Sequence, residues 1–270
     1  TKEIEVTVEK FKIYEIYTPQ DLQNMSKDRH GDYIVMNDID MSDFNFSTIS
    51  YGSTVIGFCG TIDGQGHIIS NLTKPLFTYL GNSEIKNIIF KNVNINKSNA
   101  YVGVIAEKAW SIQNIKIEKV GISGKITGGS HTGSFIGSEG SYSNSNGIEF
   151  NNCYAKVNII SSGNCTGSFM GSGSDNQDKV IKIKNSFWAG SINKKKYVGT
   201  FVGAFNVSNN EDSGLKLSNS FYNKELFALS ISSSARGLTT EEMKQQSNYT
   251  GWDFDNVWYM GSDGYPELKF

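Results

Sequence analysis

The side chains that could carry out catalysis or bind a metal are few in this 270-residue chain, and they lie far apart. Its histidines are His30, His67 and His131. A zinc peptidase needs two histidines one helical turn apart with a glutamate base between them, and this sequence has no such pair. We expect each histidine to be a polar turn residue. The sequence therefore predicts no catalytic residue, no bound metal and no other cofactor within this chain.

The carboxylates also lack the arrangement that sugar chemistry requires. Polysaccharide lyases and glycoside hydrolases built on β-helices need acidic residues clustered on neighbouring strands. Four aspartates of the central region occupy predicted turns without a common column: Asp63, Asp175, Asp178 and Asp212. Asp38 and Asp40 form a short acidic pair, which could bind a cation or, more commonly, lie solvated in a turn. The sequence therefore argues against a carbohydrate-active enzyme.

Cysteine content, hydropathy and charge exclude further classes of protein. Three cysteines, Cys59, Cys153 and Cys165, show no metal-ligand spacing, and their odd number excludes a complete disulfide framework, so we expect buried apolar side chains. No apolar run reaches the 18 residues of a membrane span, which predicts no membrane insertion by this chain. Residues 84–210 contain 14 lysines, 7 acidic residues and no arginine. Because nucleic-acid sites usually use arginine as well, we expect solvated lysines and no nucleic-acid partner.

The 28 glycines and 3 prolines favour many short strands joined by tight turns. Two helices are predicted, one at each end. Thr18 can cap a helix that ends near Arg29, and Thr239 with Glu242 forms a capping box for a helix that ends near Ser247. An aromatic tail follows the second helix.

Between these helices two motifs alternate. An asparagine precedes a strand at five places: Asn87, Asn114, Asn152, Asn185 and Asn219. A glycine precedes an apolar strand at four places: Gly103, Gly133, Gly167 and Gly199. Units of about 30 residues with two short strands cannot bury their apolar faces alone, so they must stack on one another. We predict an all-β protein, a right-handed parallel β-helix (solenoid) with short capping helices at both ends. It forms one domain, 1–270, with an N-terminal cap (1–57), repeats (58–235) and a C-terminal cap (236–270).

Period-two alternation predicts which side chains fill the interior. After each asparagine the first and third residues should face inward and the second outward. After each glycine the second residue should form an inward stack: Ile105, Phe135, Phe169 and Phe201. The first residue should face solvent: Val104, Ser134, Ser168 and Thr200. The asparagines themselves either stack amide on amide along the axis or serve as simple turn residues.

The outward column of the asparagine motif supplies the candidate binding site. Its members are Ile89, Lys116, Tyr154, Phe187 and Phe221, so the later turns place three aromatic rings in one line. We interpret Tyr154, Phe187 and Phe221, flanked by Lys194, Lys195 and Lys196, as a surface that binds a protein or glycan, since aromatic anchors carry much interface energy. The alternative is that the C-terminal tail or an N-terminal strand covers the column.

Several segments carry a resemblance to a known family. The run GTIDGQGH at 60–67 resembles the entry segment of bacterial GLUG-repeat β-helices. KPLF at 74–77, IKNI at 85–88 and NVNI at 92–95 are similar to the solenoid region before the catalytic domain of immunoglobulin A protease-like zinc metallopeptidases. GWDF at 251–254 resembles the end cap of such repeats. One departure is Ala106, where the repeat usually has glycine.

This resemblance implies a non-catalytic spacer or recognition domain of a secreted or cell-surface bacterial protein. The parent protein would be a zinc metallopeptidase that acts on a host protein, with this chain covalently linked to further domains. A freestanding adhesin that binds a host protein or glycan is the alternative, and an HExxH motif beyond residue 270 would distinguish the two. A polysaccharide lyase or glycoside hydrolase is a third class, which would require a carboxylate cluster in a groove.

Overall fold

A computed structural model gives the fold, and it describes residues 12–52, 57–98, 101–110, 114–140, 147–173, 180–193, 197–203, 214–227 and 235–270. The helices are α1 (Pro19–Asn24) and α2 (Thr240–Met243), and 3₁₀ turns follow at Met25–Lys27 and Gln246–Asn248. The strands are β1 (Ile13–Ile16), β2 (Asp32–Val35), β3 (Ile39–Asp40), β4 (Thr61–Asp63), β5 (Ile68–Ser70), β6 (Phe77–Leu80), β7 (Glu84–Lys97), β8 (Tyr101–Val102), β9 (Ala106–Ala109), β10 (Ile115–Gly128), β11 (His131–Thr132), β12 (Ile136–Glu139), β13 (Ile148–Asn151), β14 (Tyr154–Ser161), β15 (Cys165–Gly167), β16 (Met170–Ser172), β17 (Ile181–Lys184), β18 (Phe187–Trp188), β19 (Ile192–Asn193), β20 (Val198–Gly199), β21 (Leu215–Ser218), β22 (Phe221–Asn223), β23 (Arg236–Leu238), β24 (Trp258–Met260) and β25 (Pro266–Leu268).

Stacked parallel strands form the walls of a solenoid. The long sheet has 15 strands and follows the path β1-β2-β4-β7-β10-β14-β18-β22-β23. Two sheets of four strands each, β20-β15-β11-β8 and β16-β12-β9-β6, form the remaining walls. Only the β24–β25 pair is antiparallel in the described part of the chain. Because each short strand buries one apolar face against the interior, the turns share one continuous core, and the predicted fold class is confirmed.

The predicted cap at Thr18 and the predicted capping box at Thr239 are present, and both helices are shorter than predicted. Thr18 accepts a hydrogen bond from the backbone of Asp21, and the Asp21 carboxylate accepts one from the Thr18 backbone. In the same way, the Thr239 side chain accepts a hydrogen bond from the backbone of Glu242, and the Glu242 carboxylate accepts one from the Thr239 backbone. Helix α1 lies between β1 and β2, which pair with each other. The stacked sheet therefore already begins within the 1–57 segment that the sequence assigns to a cap.

The asparagine motif marks a left-handed corner, and one member of its predicted alignment was wrong. The corner residues have φ between 46° and 53° and recur 32, 33, 33 and 34 residues apart: Asn87, Lys119, Asn152, Asn185 and Asn219. Lys119, and not Asn114, holds the second corner. Ile115, which follows Asn114, pairs instead with Ile148 on the strand before the corner. The error arose because lysine rarely adopts a positive φ, so its sequence gives no signal of a corner.

With this register, the inward columns after the corner are regular. The first is Ile88, Val120, Cys153, Ser186 and Ser220, and the second is Phe90, Ile122, Ala155, Trp188 and Tyr222. All but Tyr222 are buried. Both interpretations are realised at the corner asparagines: Asn87, Asn152, Asn185 and Asn219 have the left-handed turn conformation, and the Asn219 amide donates to Asn185 Oδ1 at 3.2 Å. The turn geometry is therefore general, whereas amide stacking joins only this pair of corner asparagines within the described residues.

The glycine motif places its apolar stack as predicted. Phe135 and Phe169 have ring centroids 4.6 Å apart, and Phe169 and Phe201 have theirs 5.0 Å apart. The preceding residues were wrongly predicted to face solvent, because all are buried: Val104, Ser134, Ser168 and Thr200. At the glycine the chain passes from one sheet to the next, and both flanking residues are enclosed. A Cβ at Gly133 would lie 2.5 Å from the Ile136 carbonyl oxygen.

The structure also corrects the departure assigned to Ala106. Ala106 pairs with Ile136, and Ile136 pairs with Met170. The column formed by these three residues is apolar and contains no glycine. The glycine of the repeat follows one residue later, at Gly137. Its counterpart in the preceding turn is Glu107, whose carboxylate forms an ion pair with Lys97.

Charges alternate over four strands of one column of the long sheet, and the next pair in that column, Lys182 and Lys216, is of like charge. The Cα register aligns Glu84 with Lys116, Lys116 with Glu149, and Glu149 with Lys182. A neighbouring column adds Lys184, whose ammonium lies 3.1 Å from Glu149 Oε1. Opposite charges on adjacent strands attract each other, so this wall favours the observed register.

Candidate functional site

The predicted aromatic column exists, but it is buried. Tyr154, Phe187 and Phe221 lie in register on adjacent strands, and only 2%, 0% and 4% of their surfaces are exposed. The Tyr154 and Phe187 rings stack at 5.4 Å. Gly121 occupies the position in the preceding turn that the sequence assigned to Lys116. The Tyr154 ring covers it, since a Cβ at Gly121 would lie 2.4 Å from this ring.

The C-terminal strap, which we define as residues 239–270, covers this column. Trp252 lies 5.8 Å from Phe221, and Trp258 lies 6.3 Å from Phe187 (ring centroids). Together with the column, strap side chains form a second apolar cluster: Met243, Tyr249, Trp252, Trp258 and Leu268. The column is thus unavailable as a set of anchors for a partner, and the alternative of a covering C-terminal tail is the correct one. Burial of several large rings supplies the driving force.

Ion pairs and hydrogen bonds fasten the strap at its hairpin. Tyr154 donates a hydrogen bond to Glu267 at 2.7 Å, and Lys156 pairs with both Glu267 and Asp263. Burial raises the pKa of Tyr154 well above its ordinary value, and the Glu267 charge adds to this effect. Burial alone would lower the pKa of Lys156, but hydrogen bonds to Glu267 and Asp263 outweigh it, so the pKa is raised. These groups are occupied in holding the strap.

The flanking lysines of the predicted site, Lys194, Lys195 and Lys196, lie outside the described residues. Their part in binding stays a prediction. These lysines cannot bind a partner together with the aromatic column, because the strap covers that column.

The candidate metal and catalytic groups serve structural roles where the structure describes them. Asp38 accepts hydrogen bonds from the Ile68 backbone and faces His67 Nδ1 at 3.1 Å. Asp40 accepts one from Asn71 at 2.7 Å, which lowers the pKa of the Asp40 carboxyl. Burial raises the pKa of Cys153 to about 12, so its thiol stays protonated. Among the described residues no three His, Cys, Asp or Glu side chains come close enough to hold a metal ion.

A second aromatic surface was missed by the sequence analysis. It combines half-buried residues of two walls, which we call the tyrosine–lysine surface: Tyr79, Tyr101, Lys108, Trp110 and His131. The rings of Tyr101 and His131 stack at 4.6 Å, and Lys108 Nζ lies 3.9 Å from the Tyr101 centroid. Both stacked residues precede a motif glycine by two positions. That shared offset is the signal from which the sequence could have predicted the pair. The sequence placed His131 in a turn, whereas it lies in strand β11.

Comparison with known proteins agrees with this fold. Residues 8–124 match the family model of the M26 IgA1-specific metallo-endopeptidase N-terminal region. An immunoglobulin A1 protease of Streptococcus sanguinis is 26% identical over 171 residues, which is 53% of this chain and 9% of that protein. A protein of Evansella cellulosilytica, provisionally named a Gly-rich membrane protein, is 29% identical over 119 residues, 41% of this chain and 12% of that protein. The chain thus spans about a tenth of the length of these relatives.

Two solved structures share the architecture. A Bacteroides ovatus protein, provisionally assigned as an immunoglobulin A1 protease, superposes with a TM-score of 0.66 and 18% identity over 96% of this chain and 92% of that chain. An IgA1 protease gives a TM-score of 0.54 and 20% identity over 76% of this chain and 19% of that chain. At such identities the likeness shows the fold. Together with the sequence matches, it confirms the predicted resemblance to the N-terminal region of IgA protease-like metallopeptidases.

The described helices are short. None is both long and apolar enough to cross a lipid bilayer.

Proposed function

We propose that this chain is a non-catalytic accessory domain of a longer, exported bacterial metallopeptidase of the M26 type, and that it recognises a partner. The observation that supports this proposal is the match of residues 8–124 to the N-terminal region of such enzymes. The described residues add a solenoid in which the carboxylates of Asp38 and Asp40 accept structural hydrogen bonds and the thiol of Cys153 is buried. A location at the cell surface or in the medium is part of the same proposal.

The path of the strap favours recognition over a spacer role. From β23, at the far end of the long sheet, the chain returns along the outer wall until Phe270 packs against Gly66. Gly66 follows β4, the third strand of the sheet path. With neighbouring strands about 5 Å apart, β1 and Phe270 are separated along the axis by about 10–15 Å, although the sheet extends for about 40 Å. A domain attached after residue 270 would gain little reach from the solenoid.

An experiment on the parent protein tests the accessory role. Immunoglobulin A1 is the first substrate to try, because a relative carries that name. Deletion of residues 12–270 from the parent should leave kcat/KM for a short peptide containing the scissile bond unchanged within about twofold, while KM for the whole immunoglobulin rises about tenfold or more. Equal loss on both substrates would show that the chain belongs to the catalytic unit, and the proposal would be abandoned.

A freestanding adhesin remains the second candidate, since a solenoid that presents side chains to a partner suits either protein. It requires that the parent carry no HExxH motif and cleave no host protein. Reading the parent sequence beyond residue 270 and assaying its purified product for proteolysis distinguishes the two candidates.

A further inference from the structure

The tyrosine–lysine surface is built by adjacent turns in register. Tyr79 pairs with Lys108 across β6 and β9, and Tyr101 pairs with His131 across β8 and β11. Lys108 Nζ lies 3.9 Å from the Tyr101 ring centroid and 5.9 Å from that of Tyr79. Trp110 adds an edge contact to Tyr79 at 5.9 Å. The rings are therefore held by the sheets and need little ordering on binding, which reduces the entropy cost of an interface.

The orientation of the rings decides which ligand chemistry fits. One face of Tyr101 is covered by His131, with an interplanar angle of 16°, and Lys108 lies over the same ring. Its faces are thus poor platforms for stacking a sugar ring. What remains accessible is the ring edge, which is the positive end of the quadrupole, and the phenol hydroxyl. In the described part of the chain neither Tyr79 nor Tyr101 has a hydrogen-bond partner for that hydroxyl.

The charge of this surface is uncompensated. No carboxylate of the described residues lies within ion-pairing distance of Lys108, in contrast to Lys97, which pairs with Glu107. Burial lowers the pKa of His131, and the nearby Lys108 charge lowers it further, so the imidazole is disfavoured as a second cation. Residues 84–210, which contain the site except Tyr79, carry seven more lysines than acids. An anionic group is the complement of this arrangement.

We propose that the tyrosine–lysine surface binds an acidic, extended segment of a partner protein, with a carboxylate against Lys108 and hydrogen bonds from the hydroxyls of Tyr79 and Tyr101. A partner protein fits better than a glycan because His131 and Lys108 cover the Tyr101 ring, which leaves its edge and hydroxyl for contact. This inference rests on the recognition role proposed above and gives that role a site and a partner chemistry.

Calorimetry and NMR on the 270-residue chain test the site with defined probes. The first probe is the peptide acetyl-EFEEFE-amide, the second is its neutral counterpart acetyl-QFQQFQ-amide, and the third is 3′-sialyllactose, an acidic sugar. We expect only the acidic peptide to bind and to raise the pKa of His131, read from its ring proton resonances, because the bound carboxylate offsets the Lys108 charge. Lys108→Met should weaken binding at least about tenfold, since a charge-assisted contact is lost.

Two further variants keep the result interpretable. Lys125→Met removes an exposed lysine from the long sheet and should change the affinity less than about twofold. Tyr101→Phe keeps the stack on His131 and removes one hydroxyl, so it should weaken binding by about two- to fivefold even if Lys108→Met folds poorly. Equal binding by Lys108→Met and the unmodified chain, equal binding of the neutral peptide, sialyllactose binding in place of the peptide, or no binding of any probe would each overturn the proposal. These outcomes are separate from the peptidase assay, because they need only this chain.

Discussion

Lys119 holds a backbone conformation that the asparagines at the other corners adopt more easily. Its φ is 51°, in the left-handed region, where a side chain other than Gly, Asn or Asp costs about 1–2 kcal/mol. The side chain offers one compensation, since its ammonium lies 5.6 Å from the ring centroid of Phe270. An exposed cation–π contact contributes only about 0.5–1 kcal/mol, so the corner is a site of net strain.

Replacement of this residue should therefore stabilise the protein. We expect Lys119→Asn to raise the free energy of unfolding by about 0.5 kcal/mol, because relief of the left-handed strain exceeds the loss of the Phe270 contact. Urea denaturation followed by far-UV circular dichroism measures the change. Lys125→Asn, at an exposed position of β10, is the matched control and should not stabilise. A destabilised Lys119→Asn variant would show that the contact with Phe270 matters more than the backbone.

At the scale of single residues, the sequence predicted correctly which side chains face inward along strands, and it predicted wrongly those next to corners. The stack of Phe135, Phe169 and Phe201 followed from period-two alternation after a glycine. Ser134 and Ser168 were misplaced because alternation does not hold at a corner where the chain passes from one sheet to the next and both residues that flank the glycine are enclosed. The hydroxyl groups of these serines are buried without a partner in the described residues, an arrangement that a polar side chain does not suggest.

Among the elements, the strap depends most on ionised carboxylates. Hydrogen bonds from Thr239 lower the pKa of Glu242, and hydrogen bonds from Thr240 lower that of Glu225. The pKa of Asp263 is also lowered, because contacts with Lys156 and Tyr265 outweigh burial. A carboxyl whose pKa is lowered in the folded state stabilises that state above its ordinary pKa, and this stabilisation is lost as the pH falls through the lowered value.

We accordingly expect acid to loosen the strap, with the loss of stability beginning below the ordinary Glu pKa of 4.5. Tryptophan fluorescence between about pH 6 and pH 2 follows the change, since Trp252 and Trp258 belong to the strap. Glu242→Gln provides the control: glutamine can still accept the hydrogen bond from Thr239 but does not titrate. Its acid transition should be shallower, and an unchanged transition would assign the sensitivity to other groups.

The existence of the capping elements could be predicted, but not their docking. Thr18 with Asp21 and Thr239 with Glu242 form the boxes that the sequence indicates, because these contacts are local. The position of the hairpin depends on the contact of Glu267 with Tyr154, which are 113 residues apart. No periodicity connects such positions, so the sequence left open whether the aromatic column is exposed or covered.

For the whole molecule, the described residues of the solenoid and its strap contain two apolar clusters. The first cluster fills the interior of the turns, and the second lies between the outer wall and the strap. Phe187 belongs to the second and is completely buried there. Without the strap its ring would face solvent, along with those of its neighbours in the column.

A chain that ends at Leu238 should therefore self-associate. Removal of the strap exposes Tyr154, Phe187 and Phe221 as one continuous apolar stripe, which favours aggregation or pairing between copies. We expect increased fluorescence of a hydrophobic dye and a larger mass in size-exclusion chromatography with light scattering. Tyr259→Ala removes a strap residue that is 47% exposed and should leave both readouts unchanged. A monomeric, dye-silent truncated chain would contradict the assigned role of the strap.

Repetition made the overall architecture the most predictable level of this molecule. Motif spacing near 30 residues implies stacking regardless of how single positions are assigned, so the error at Asn114 did not affect the fold. The functional surfaces were harder to predict because each combines residues from different walls. Tyr79 and Tyr101 lie on different sheets and approach each other only through Lys108.

The alternating charges of the long sheet have a consequence for how such a protein changes its length during evolution. Loss of the single turn that contains Lys116 would bring Glu84 next to Glu149, and loss of the following turn would bring Lys116 next to Lys182. Like charges on neighbouring strands repel, whereas removal of the two turns that contain Lys116 and Glu149 would place Glu84 next to Lys182, which is again an attractive pair. Between Glu84 and Lys182, duplications and deletions are therefore expected to survive in even numbers.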